Sequence, residues 1–93
     1  MISVNEYFGG TVKSLAYHSS EGKSTIGVIE EGEYEFGTSS YEKMTVIQGT
    51  LVALLPGEEN WKSYTNGEYF EVPANSSFKV KSEGQTAYLC QYS

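Results

Sequence analysis

The sequence predicts an all-β fold built as one domain, and three observations carry that reading. Clusters of glycine, asparagine, serine and proline break the chain at fairly even intervals and leave no room for a helix of ordinary length. The pieces between the clusters alternate polar with apolar residues or are rich in β-branched and aromatic ones. A chain of 93 residues buries only about two-thirds of its unfolded surface, enough for one core and not two. In order, the expected strands are Thr11 to His18, Ser24 to Glu30, Glu33 to Phe36, Met44 to Ile47, Leu51 to Leu55, Trp61 to Thr65, Tyr69 to Val72, Phe78 to Lys81 and Thr86 to Tyr92. Asn66-Gly67 is the strongest hairpin signal, because a type I′ turn needs positive φ at both central positions. Gly49 and Gly67 are expected to serve backbone geometry, and Glu30-Glu31 and Glu58-Glu59 read as solvated turn charges.

Small antiparallel β domains form sandwiches, OB barrels or jelly rolls, and periodicity does not choose among them. Spacing does. Glu42 is followed after six residues by Gly49; Gly67 is followed after five by Pro73, after one more by Asn75 and after a further two by Phe78. This punctuation resembles the two-part pattern of the cupin barrel. Phe78 takes the place of the last metal-binding histidine of that pattern, and the paired histidines would fall on Phe36 and Thr38, neither of which is a favoured transition-metal ligand. The expectation is one cupin domain over residues 1–93, a jelly-roll β-barrel without the metal-binding histidines, with any interior site organic and not metallic.

A net charge of −6 and a pI near 4.6 argue against nucleic acid or an anionic membrane as partner, since both require clustered cations. No apolar run approaches the roughly 20 residues of a membrane helix. The start MISVNEYF lacks the regions of a signal peptide, so a cytoplasmic location is expected. Cys90 is the only cysteine, which rules out an internal disulfide and reads as a buried, inert thiol. All acids are glutamate and all cations lysine. Acid chemistry therefore falls to glutamate, and an anion must be held without the bidentate arginine fork.

Several segments, NEYF at Asn5 to Phe8, EGEYEF at Glu31 to Phe36, EKMTVIQG at Glu42 to Gly49, Leu-Leu-Pro at Leu54 to Pro56, Val72-Pro73 and YLCQY at Tyr88 to Tyr92, keep their order and spacing over nearly the whole chain. In them the chain resembles the small bacterial pyrimidine/purine nucleoside phosphorylase family. The resemblance implies a homodimeric single-domain cupin that splits many ribonucleosides with inorganic phosphate as co-substrate, giving free base and ribose 1-phosphate. It implies no cofactor. Some members have arginine where this chain has Gln91, which leaves the phosphate ligands open.

Phosphorolysis needs a carboxylate and an anion-binding group around an oxocarbenium-like ribose. Glu42 sits where metal cupins place an inward glutamate ligand, and it is the candidate catalytic residue, either hydrogen-bonding ribose or protonating the base if burial raises its pKa. Lys43 is a phosphate candidate, although alternation points it away from Glu42. Tyr34, Phe36, Phe78, Tyr88 and Tyr92 alternate so that several rings can face one cavity and stack on a base; ordinary core packing remains open for each. Lys13 and Lys79 read as surface lysines, Trp61 and Tyr64 as covers of a strand edge or subunit interface, and His18 as a strand-end residue. Two other classes stay open: a non-catalytic cupin that binds a nucleoside or sugar, and a metal-dependent dioxygenase or isomerase, against which the missing histidines speak.

Overall fold

The computed structural model describes all residues, Met1–Ser93, as ten antiparallel strands and no α-helix. The strands are β1 (Ser3–Tyr7), β2 (Val12–Ser19), β3 (Gly22–Ile29), β4 (Gly32–Gly37), β5 (Glu42–Gln48), β6 (Thr50–Leu54), β7 (Lys62–Thr65), β8 (Tyr69–Val72), β9 (Ser77–Ser82) and β10 (Thr86–Tyr92). One sheet has the order β1-β2-β3-β10-β5-β8 and the other β4-β9-β6-β7. After β3, every connection except β6 to β7 switches sheets. That interleaving produces the expected jelly roll, because consecutive segments must face each other across the core instead of pairing side by side.

Alternation decides which residues meet between the sheets. Val12 and Ile29 from the larger sheet, with Val46 and Val72, are fully buried against Leu51, Ala53 and Val80 from the smaller one. A row of aromatic contacts runs through this layer: Tyr64 on Phe70 at 5.0 Å between ring centroids, Phe70 on Phe78 at 5.8 Å and Phe78 on Phe36 at 5.6 Å. Tyr64 thus packs in the interior, not on the edge or interface expected of it. Trp61 lies beneath the Lys81 ammonium, 4.0 Å from the ring centroid.

Two expectations are corrected. β1 was not foreseen, because its sequence SVNEY carries little apolar signal; it is an edge strand held by β2 alone. Asn66-Gly67 does not close a hairpin. The strands it joins, β7 and β8, belong to opposite sheets. Only Gly67 has positive φ, at 85°, and the Glu68 amide donates to the Thr65 carbonyl at 2.8 Å, the pattern of a type II turn. This corner is tied sideways: the Gly67 amide donates to the Val46 carbonyl at 2.8 Å, and Asn66 Oδ1 accepts the Gly49 amide at 2.9 Å.

Candidate functional site

One end of the barrel opens into a cavity of about 400 Å³ between the two sheets. The strand ends explain its chemistry. β5 begins with Glu42 and continues through Met44 on the inner face; β10 contributes Tyr88, Cys90 and Tyr92; β4 and β9 bring Phe36 and Phe78 across from the smaller sheet. Ser14 of β2 and Thr25 of β3 add hydroxyls. The volume lies within the roughly 300–1,000 Å³ range of small-molecule sites and has their character, apolar walls with few polar groups.

Glu42 is half-buried in this wall, and burial raises its carboxyl pKa above the usual range, opposed by the Cys90 thiol, which donates to Oε1 at 3.4 Å. Cys90 is buried, and burial followed by the Glu42 charge pushes its thiol up to about 12. It stays protonated at neutral pH and is a poor nucleophile. Burial likewise lifts the Tyr88 phenol to about 12, and that of Tyr92 upward as well. Tyr92 hydroxyl and Thr25 Oγ1 share a hydrogen bond of 3.2 Å. The site therefore presents neutral hydroxyls and two carboxyls, the exposed Glu35 and the half-buried Glu42, of which Glu42 takes up a proton more readily than usual.

Glu42, Phe36, Phe78, Tyr88 and Tyr92 all line the cavity. Tyr34 does not. It packs behind Phe36 and under Phe8, at 6.3 and 5.2 Å between centroids, and its hydroxyl donates to the Glu30 carbonyl at 3.0 Å. Lys43 also lies outside: its ammonium sits 4.3 Å from the Tyr69 ring centroid, on the side of β5 opposite Glu42. Lys13 is exposed and paired with Glu6 at 3.7 Å. Gln91 alternates to the outer side of β10, away from Cys90 and Tyr92.

The positions of the metal histidines have other duties. Phe36 and Phe78 are in contact in the cavity wall. Buried Thr38 donates from Oγ1 to the Pro73 carbonyl at 2.7 Å and accepts the Ser76 amide at 3.0 Å, fastening the end of β4 to the β8–β9 turn. No group of three His, Cys, Asp or Glu side chains comes together anywhere in the chain.

Several lining residues were missed in the sequence, Ser14, Thr25, Glu35 and Met44 among them. Tyr7 and Phe8 form part of the rim, and Phe8 has φ of 53°, a left-handed conformation rare for an aromatic residue. Its ring closes edge-on against Phe36 at 5.5 Å. Behind the wall lies Gly27, opposite Tyr88 on the neighbouring strand: an added Cβ would stand 2.6 Å from the Tyr88 ring. Glycine there lets the ring lie flat against β3.

A sequence profile of the pyrimidine/purine nucleoside phosphorylase family matches residues 2–92. The chain is 56% identical over 92 residues to the pyrimidine/purine nucleoside phosphorylase of Marinobacter nauticus, covering 99% of each, and 54% identical to that of Pseudomonas aeruginosa with the same coverage. The chain belongs to the pyrimidine/purine nucleoside phosphorylase family. Among solved structures, a Vibrio parahaemolyticus protein of unknown function superposes with a TM-score of 0.96 at 45% identity, covering 100% of this chain and 99% of that one. An RmlC-like cupin from Shewanella frigidimarina superposes with a TM-score of 0.77 at 18% identity, covering 99% of this chain and 83% of that one; that likeness establishes the cupin fold and nothing more. In this chain the aromatic cavity takes in Phe36 and Phe78, two of the three positions that the cupin pattern gives to metal-binding histidines.

Proposed function

We propose that this protein cleaves purine and pyrimidine ribonucleosides with inorganic phosphate, giving free base and ribose 1-phosphate, with broad base tolerance and no metal ion. The observation that carries the reading is the half-buried Glu42 carboxyl in an aromatic cavity large enough for a nucleoside. In the reaction a phosphate oxygen bonds to C1′ as the C1′–N bond breaks. The bonding pair leaves on the base nitrogen, which takes a proton from Glu42. Stacking of the base on Phe36, Tyr88 or Tyr92 is worth about 1–3 kcal/mol and does not read the base edge, which supports tolerance of both classes. Phe36, Thr38 and Phe78 at the three histidine positions support a metal-free site.

The test is release of base from uridine, adenosine and guanosine by chelator-treated protein, with and without phosphate. Release that requires phosphate, with ribose 1-phosphate as co-product, is expected. A rise in melting temperature with the nucleoside left intact would favour the non-catalytic binding reading instead. Gly27→Ala is expected to raise the nucleoside KM about 10-fold, because the new methyl displaces Tyr88 from the cavity wall. The accompanying overpacking costs about 1–3 kcal/mol. An unchanged KM would remove Tyr88 from nucleoside binding.

The outer face of the larger sheet carries Val4, Leu15, Ile26 and Leu89 in one register row across four strands, with Val28 beside it. Val4 is 66% exposed, Leu15 45% and Ile26 42%. A two-fold pairing of this face with a second copy buries the row against itself, which supports a homodimer. Sedimentation should return about twice 10.3 kDa, and Ile26→Lys should return the monomer mass; a monomeric wild type overturns the proposal. The unpaired Cys90 thiol supports a cytoplasmic location, which cell fractionation checks.

A further inference from the structure

A second depression, of about 560 Å³, lies on the same concave face of the larger sheet as the aromatic cavity. Register shows why the two are neighbours. On β2 and β3 the inner-facing series runs Ser14, Ala16, His18 and Thr25, Lys23, with Ala16 opposite Thr25 and His18 opposite Lys23. Ser14 and Thr25 belong to the aromatic cavity, whereas Ala16, His18 and Lys23, with Ser3 and Asn5 of β1, line the groove beyond it. Lys23 of the groove and Tyr92 of the cavity wall stand together at the boundary. The Tyr92 hydroxyl is bonded to Thr25, and the Lys23 ammonium stands 5.3 Å from the Tyr92 ring centroid.

The charge distribution sets this groove apart. The chain has twelve glutamates and a net charge of −6, yet no carboxylate lines the groove. It holds instead the only histidine of the chain, cross-strand from a lysine, with the Ser3 hydroxyl and Asn5 amide beside them. The other lysines are placed elsewhere. Lys13 pairs with Glu6, Lys81 with Glu33, and Lys43 lies on Tyr69. Lys62 and Lys79 are exposed on the smaller sheet. Lys23 is the lysine in contact with a ring of the cavity wall, and that contact holds a long side chain at the boundary by cation–π attraction.

We infer that His18 and Lys23 form an inorganic phosphate subsite adjoining the nucleoside cavity. A lysine point charge and an imidazole N–H supply the donors that an arginine fork would otherwise provide. Phosphate held in the groove approaches the cavity past Tyr92 and Thr25, from the side opposite the Phe36–Phe78 wall. The inference rests on the phosphorylase reading for the role of the anion, but not for its binding.

The experiment has two arms so that the two readings fail separately. In steady state, Lys23→Gln and His18→Asn should each raise the phosphate KM at least about 10-fold and leave the uridine KM within about twofold, and Lys23→Arg should restore it. Separately, titration with inorganic phosphate should shift the single imidazole signal of His18 saturably, beyond any shift from chloride at equal ionic strength, and Lys23→Gln should weaken that response. Phosphorolysis with an unchanged phosphate KM in both variants overturns the subsite while the proposed function stands. Where no nucleoside is cleaved, a saturable His18 shift still supports the anion site, and an absent shift overturns it.

Discussion

Replacing Glu42 with Gln is expected to lower kcat/KM for uridine about 100-fold, mainly through kcat, while raising the melting temperature at pH 7. The first half follows from geometry. Glu42 is the candidate proton donor at the cavity wall, and positioned acid–base groups contribute about 10²–10⁴-fold. Gln keeps the shape and the hydrogen-bond acceptor for Cys90 but has no proton to give. The second half follows from linkage. Burial raises the folded-state pKa of Glu42 above its unfolded value, so between those two values the folded state binds more protons than the unfolded one. Stability supplied through this group is therefore present at low pH and lost as pH rises through the folded pKa. The neutral amide removes that loss, and the difference in melting temperature between wild type and variant should shrink as pH falls toward 4. Undiminished turnover would take Glu42 out of the chemistry. A lower melting temperature at pH 7 would mean that the thiol hydrogen bond, not burial, governs the group.

Much of this site was legible because its residues lie on alternating strands. Phe36, Glu42, Phe78, Tyr88 and Tyr92 each share the inward parity that the chain pattern assigns, and all reach one cavity. What alternation cannot give is depth along a strand. Tyr34 has the same parity as Phe36, but two residues earlier its ring lies under Phe8 and its hydroxyl reaches the β3–β4 turn. Register between distant strands was equally invisible. The Cys90–Glu42 contact needs β10 beside β5, and the approach of Tyr88 to Gly27 needs β10 beside β3. The Asn66-Gly67 signal reported a turn correctly, but a turn does not state which strands pair, and here it bridges two sheets. Lys23 went unnoticed because it lies one residue past a turn glycine, where inward parity becomes evident only once β3 is seen to start at Gly22.

Gly49→Ala is expected to cost about 3 kcal/mol or more, a fall in melting temperature above roughly 12 °C for a domain of this size. Two penalties coincide at this position. Gly49 has φ of 112°, a conformation that L side chains rarely adopt, and an added Cβ would lie 2.7 Å from Thr86 Oγ1, 3.0 Å from Thr86 Cα and 3.1 Å from the Gln85 carbonyl oxygen. Two of those atoms are backbone and cannot rotate away. The hydroxyl is committed too, since Thr86 Oγ1 donates to the Thr50 carbonyl at 3.1 Å and shares a 2.8 Å hydrogen bond with Ser82. Gly67→Ala separates the two penalties. Gly67 has φ of 85° but nothing within 4 Å of the added methyl, so it should lose only the backbone share, about 1 kcal/mol or roughly 4–8 °C. Thermal unfolding of both variants decides the matter: equal losses would show that the Thr86 contact adds nothing. A larger loss at Gly49 would mean that the β5–β6 corner is fixed by packing against β10, the same strand that sets Cys90 against Glu42 at the far end of β5.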